Sequence, residues 1–177
     1  AVTVDSRTKP GMAVANEQMT GHAADQTSQA KIVSQQWDYI VVQDNQGNFA
    51  GSSGSVPSWC VNANTTLYGQ IKANDSCTRI VYFAGWGPAG GTSGSDNTVS
   101  CINRIHNNSI VLNNAVADEI VSPIGKAWIT SMSQLPGENL YSSDNQHPSM
   151  EGVYLTAATI LTTIFKTDLT NVNYSGG

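Results

Sequence analysis

Asp144 and His147 stand three residues apart in Tyr141-Ser142-Ser143-Asp144-Asn145-Gln146-His147-Pro148-Ser149-Met150-Glu151-Gly152-Val153-Tyr154-Leu155, just ahead of an apolar run. That spacing puts a carboxylate and an imidazole into one tight turn. Histidine is the natural general base near neutral pH, and it needs an acceptor to orient its second ring nitrogen. A serine hydroxyl is the natural third partner, because it becomes a nucleophile only when a base takes its proton. The other reading of these residues is a loop aspartate capping a helix beside a surface histidine.

Side chains that could serve this pair must come from elements that bring them to one edge. Tyr39-Ile40-Val41-Val42 and Arg79-Ile80-Val81-Tyr82-Phe83-Ala84 are continuous apolar runs, the pattern of parallel strands buried on both faces. Glu119-Ile120-Val121 is a third, shorter strand, and Ala1–Val4 is a further β-branched run. Helical patterns cover Met12–Gln36 (with Ala13, Met19, Ala23, Ala30 and Val33 as its apolar stripe), Thr65–Ala73, Thr98–Asp118 and Val153–Phe165. Asn45–Ser58 and Gly85–Asp96 are Gly-rich loops. Strands alternating with helices predict a three-layer α/β/α sandwich around a parallel sheet, as one domain over residues 1–177. Ligands of such sheets bind at the carboxyl ends of the strands. Gln43 and Asn45, Trp86, and the Asp144–His147 turn are therefore expected to meet there.

Composition narrows the partners. Charged residues are 12% of the chain, with eight Lys and Arg against thirteen Asp and Glu, giving a net charge of −5. No basic patch is available to neutralise phosphates, which argues against nucleic acid. No run of eighteen apolar residues spans a membrane. The polar, weakly charged surface and the absence of a leader ahead of Ala1 suit a processed, secreted protein. Cys60, Cys77 and Cys101 have no Cys-x-x-Cys spacing and no clustered histidines, so no metal site is expected. One disulfide is expected in a secreted setting. Cys60–Cys77 is favoured because the two flank one helical segment, with Cys60–Cys101 as the alternative. Asn64, Asn74, Asn107 and Asn173 lie in Asn-x-Ser/Thr sequons, acceptors in a glycosylating pathway. His22 and His106 fall on expected helices without a partner pattern and read as structural or surface residues.

The Asp-x-x-His-Pro turn, together with Pro123-Ile124-Gly125-Lys126-Ala127-Trp128, Leu140-Tyr141 and the Gly-x-Tyr-Leu-x-Ala helix, resembles a sugar-ester-directed branch of the SGNH (GDSL-type) hydrolases. The resemblance implies a flavodoxin-like sheet, a Ser-His-Asp triad, hydrolysis of O-acyl (acetyl) groups on a carbohydrate, and no cofactor. Trp37-Asp38-Tyr39-Ile40-Val41-Val42-Gln43 resembles the family's third block, without its Gly-x-Asn-Asp ending. In sugar-acetylesterase branches a Gln stands here, which implies Gln43 as an oxyanion donor with Asn45 behind it. Trp86 would shape the acyl or sugar pocket.

The nucleophile block is altered, and two registers fit. In one, Val2-Thr3-Val4-Asp5-Ser6-Arg7-Thr8 resembles the Gly-Asp-Ser block with Val4 in place of Gly, and Ser6 is the nucleophile. In the other, Ala1–Val4 is the second strand and Lys9-Pro10-Gly11-Met12-Ala13-Val14 the second block, whose Gly11 lends its N–H to the oxyanion. The nucleophile then lies upstream, and a second chain or a cleaved N-terminal segment completes the sheet. A chain that folds alone favours Ser6, because an empty central strand position orphans backbone groups on both neighbours. The reading from another class is a relative without a nucleophile: a structural, assembly-forming or carbohydrate-binding protein on the same scaffold.

Overall fold

The computed structural model describes residues 2–9, 12–14, 20–92, 96–117 and 119–169. Three strands, β1 (Tyr39–Val42), β2 (Arg79–Phe83) and β3 (Ile120–Ser122), form one parallel sheet in the order β1-β2-β3. The helices are α1 (Gln26–Ile32), α2 (Ser58–Asn74), α3 (Thr98–Val116), α4 (Ile124–Gln134) and α5 (Met150–Phe165).

Alternation along the strands divides the interior in two. Ile40 and Val42 on β1, with Ile80 and Tyr82 on β2, face a core shared with α1, α2 and α3. On α2, Cys60, Ala63, Asn64, Leu67 and Ile71 recur at helical spacing, and Cys101, Ile102, Ile105, Ser109 and Leu112 do the same on α3. Phe83 points to the other face, where Ile124 and Trp128 of α4 meet Leu140, Tyr141 and the flank of α5. The expected sandwich is therefore present, with a helix (α4, Ile124–Gln134) that the apolar pattern did not announce.

Several boundaries moved. Met12–Gln36 does not fold as one helix: among its described residues only Gln26–Ile32 are α-helical. Ahead of it, His22 and Ala23 donate their N–H groups to the carbonyls of Ala13 and Val14. Gly21 permits this approach, since a Cβ there would stand 2.4 Å from the Val14 carbonyl oxygen. The intended stripe splits accordingly, with Ala23 buried and Val33 exposed. Helix α2 begins at Ser58, seven residues before its expected start, because Pro57 sets the entry and Ser58 onward carries the apolar stripe.

Val2–Val4 is not a strand. Val2 and Val4 are exposed, and neither joins the sheet. Asp5 pairs with Lys31 at 2.6 Å and Arg7 with Asp25 at 3.1 Å, so this segment runs along α1. Among the described residues Tyr39–Val42 is consequently an edge: no strand pairs with the side of β1 away from β2, and Val41 is 41% exposed. Neither the first register, with Ala1–Val4 as a central strand, nor the second, with it as an edge strand, is seen at Val2–Val4 among the described residues.

The cysteines are free, which corrects the disulfide expectation. Cys60 lies in the first turn of α2 and Cys77 beyond its end. The fourteen helical residues that follow Cys60 separate their surroundings by about 20 Å, whereas a disulfide needs Cα atoms within about 7 Å. Flanking one helix was the wrong criterion. Asn64 is likewise no glycan acceptor in this fold: its side chain is buried, donating to the Cys60 carbonyl at 2.9 Å and to Asp44 at 3.3 Å. No helix among the described residues is long and apolar enough to cross a membrane.

Asp25 caps α1 by accepting from the Ser28 N–H at 2.8 Å and the Ser28 hydroxyl at 2.7 Å. These bonds, then Arg7, pull its carboxyl down to about 2. The folded value lies below the unfolded one, so the cap's contribution is complete above about pH 4 and is lost as pH falls through about 2. Amide exchange in Ser28–Lys31 should therefore quicken over that acid window, and Asp25→Asn should flatten the response. An unchanged pH profile in that variant would contradict the assignment.

Candidate active site

The Asp144–His147 turn is built from its own backbone. Tyr141 pairs with Pro148 as an antiparallel bridge, Ser142 N–H donates to the His147 carbonyl at 2.8 Å, and Asn145 N–H donates to the Ser142 carbonyl at 3.0 Å. Asn145 takes a left-handed conformation, φ 59°, which asparagine tolerates better than most residues. Ser149 then caps α5, accepting from Gly152 N–H at 3.1 Å. Gly152 is required by contact: a Cβ there would lie 2.3 Å from the Leu140 carbonyl oxygen and 2.9 Å from Trp128.

Inside this loop Asp144 and His147 form the expected pair. His147 Nδ1 lies 2.5 Å from Asp144 Oδ2. The other carboxylate oxygen accepts from the N–H groups of Gln146 and His147, each at 2.9 Å, and from the Ser142 hydroxyl at 2.7 Å. The imidazole first, and then these N–H donors and the hydroxyl, hold the Asp144 carboxyl well below the usual carboxylate range. An ionised carboxylate can only accept, so Nδ1 carries a proton, and in the neutral imidazole Nε2 presents its lone pair. The His147 side chain is 79% exposed, leaving that nitrogen open to an incoming hydroxyl.

Loops from the other two strand ends converge on this turn. Gln46, in a short 3-10 turn after β1, accepts from Gly85 N–H at 3.0 Å and donates to the Asp44 carbonyl at 3.0 Å. Trp86 donates its indole N–H to the Gln146 carbonyl at 2.8 Å, and Ala89 N–H donates to the Asn145 carbonyl at 2.9 Å. The strand-end loops are thus stitched in the order Asp44, Gln46, Gly85, Trp86, Gln146, His147. Gln43 is exposed directly after β1, at this same end of the sheet. Asn45 is used locally: its side-chain oxygen accepts from Gly47 N–H at 2.9 Å.

Other expected site residues are placed differently. Trp86 lies flat on Trp128, with centroids 4.6 Å apart and planes at 6°, and its N–H is spent on the histidine turn. Ser6 is exposed on the N-terminal segment that lies along α1, and is not hydrogen-bonded to His147. Gly11 lies outside the described residues. His22 has a partner after all, Ser28 Oγ at 2.7 Å, as a structural residue should.

The residue that sequence reasoning missed is Asp44. It is buried beneath Gln43, accepting from Val14 N–H at 3.1 Å, Asn45 N–H at 2.7 Å and Asn64 at 3.3 Å. Burial raises its carboxyl above the ordinary value despite these donors. A carboxylate directly after a buried strand was the available signal.

No family model and no curated protein matches this chain. Solved structures do. A DUF4886 family protein from Bacteroides uniformis superposes with a TM-score of 0.68 at 18% identity, over 84% of this chain and 58% of that one. A protein from Parabacteroides merdae assigned as a GDSL-like lipase superposes with a TM-score of 0.58 at 14% identity, over 80% of this chain and 67% of its own. The fold is SGNH-like. The chain spans little more than half the length of the first of these structures. Within the SGNH-like fold the Asp144–His147 turn lies directly before the closing helix α5, beyond the carboxyl ends of the strands.

Proposed function

We propose that this chain carries the general-base half of an SGNH-type ester hydrolase, acting on O-acyl groups, acetyl above all, of a carbohydrate. The observation that carries the reading is His147 held by Asp144 in one tautomer with Nε2 exposed. In the proposed step Nε2 takes the proton of a serine hydroxyl as its oxygen attacks the ester carbonyl, then returns that proton to the leaving sugar oxygen. Asp144 stabilises the imidazolium formed between. Gln43 donates its amide to the tetrahedral oxyanion, and Gln43→Ala should lower turnover about a hundredfold. Unchanged turnover in a folded variant would make Gln43 a loop residue.

For the nucleophile we favour a serine on a strand added to the open edge of β1. Two observations support this over Ser6: Val2–Val4 does not pair with β1, and the Asp5–Lys31 pair ties that segment to α1. A strand in that position would also cover Val41. The same reading makes secretion and a carbohydrate ester substrate part of the proposal.

Fluorophosphonate labelling of the chain together with the polypeptide that supplies the added strand, followed by peptide mapping and hydrolysis of an O-acetylated oligosaccharide, tests it. Label on a serine other than Ser6, lost in His147→Ala, is the expected result. Label on Ser6 would overturn the edge-strand assignment. A folded protein that neither labels nor hydrolyses would leave a binding or assembly protein on an SGNH-like scaffold.

A further inference from the structure

We propose that Trp86 is the positioning residue of the Asp144–His147 dyad, fixing the peptide planes that aim at Asp144. The inference rests on the hydrolase reading for its catalytic meaning and on the geometry of the loop for everything else. Each peptide unit is planar, so its C=O and N–H turn together. The unit joining Gln146 to His147 donates its N–H to Asp144 at 2.9 Å, while its carbonyl accepts from the Trp86 indole at 2.8 Å. The unit joining Asn145 to Gln146 donates to the same carboxylate oxygen at 2.9 Å, while its carbonyl accepts from Ala89 N–H at 2.9 Å. Both planes are therefore gripped from behind by the loop that follows β2.

Trp86 can grip because it stands on a fixed base. Its ring stacks on Trp128, which is fully buried. Phe83 meets the indole edge-on at 5.8 Å, and Tyr141 meets Trp128 edge-on at 4.9 Å. The Tyr141 hydroxyl returns to the Gly87 carbonyl at 2.8 Å, closing the loop on the same residue that bridges to Pro148. An indole whose donor is already engaged is a poor recognition group for a sugar hydroxyl. It is a good strut.

The test uses amide hydrogen exchange and carboxyl-carbon NMR, neither of which needs turnover. In Trp86→Phe, which keeps a ring on Trp128 but removes the donor, exchange at the Gln146 and His147 amides should rise about tenfold. The Asp144 carboxyl should titrate about one pH unit higher, as its donors loosen. Amides of β2 and α3 should stay as they were. Should that variant fail to fold, replacing the indole N–H by sulfur in the benzothienyl analogue of Trp86 keeps the stack and asks the same question. Amides and titration that do not move in a folded variant would overturn the proposal. If they move in a protein that hydrolyses no ester, the positioning role stands and the hydrolase reading falls.

Discussion

Asp144→Asn is expected to lower turnover about ten-thousandfold, the scale seen when a triad histidine is left in the wrong tautomer. The reason is local. Three donors, the N–H groups of Gln146 and His147 and the Ser142 hydroxyl, converge on Oδ1 and will select the amide oxygen for that place. The amide nitrogen must then occupy the Oδ2 place, against His147 Nδ1. It donates, so Nδ1 has to accept, and the imidazole proton moves to Nε2. The base is blocked while the loop keeps its shape. His147→Ala should lose about as much, and the double variant little more, because the two act as one unit. Hydrolysis of an O-acetylated oligosaccharide by the three variants measures this. A loss below tenfold in Asp144→Asn would remove the dyad from the mechanism.

The second large effect is on stability. Asp44→Ala should cost about 3 kcal/mol, since it strips acceptors from the buried Val14 N–H and the buried Asn64 amide. For a domain of this size that corresponds to a melting temperature lower by about 10 °C. Asp44→Asn should cost less and change the pH dependence instead. Burial raises the folded carboxyl above its unfolded value of about 3.9. Its contribution is therefore full below about pH 4 and shrinks as pH rises through the folded value. The wild type should lose stability relative to Asp44→Asn over that interval, measured by denaturant unfolding at several pH values. A parallel pair of curves would refute the buried titration.

The parts of the fold that were legible are those that rest on short-range pattern. Tyr39–Val42 and Arg79–Ala84 read as parallel strands because they hold unbroken apolar runs, although the burial expected of both holds only for the second, and α5 read as a helix because its residues repeat at helical spacing. The Asp144–His147 pair was legible for the same reason: its geometry is set within one turn. What failed depended on distant contacts. Nothing near Ala13 and Val14 announces that His22 and Ala23 return to pair with them, ending the expected helix. Cys60 and Cys77 are near in sequence but separated by a rigid rod. Trp86 was read as a pocket wall, since only the folded loop reveals where its N–H points. Val2–Val4 has strand composition, yet composition cannot supply the neighbour a strand needs.

The self-closed loop from Tyr141 to Pro148 has a further consequence for how this protein should fail. Carboxylate and imidazole travel together, because every bond made directly to the carboxylate comes from within the loop, while Trp86 and Ala89 hold its peptide planes from outside. Warming that loosens the sheet would shift both as one rigid body relative to Gln43, leaving their mutual distance intact. Inactivation should then precede any loss of the acid–imidazole contact, and reflect alignment between strand-end loops. The pair itself would persist until α5 frays from its capping serine.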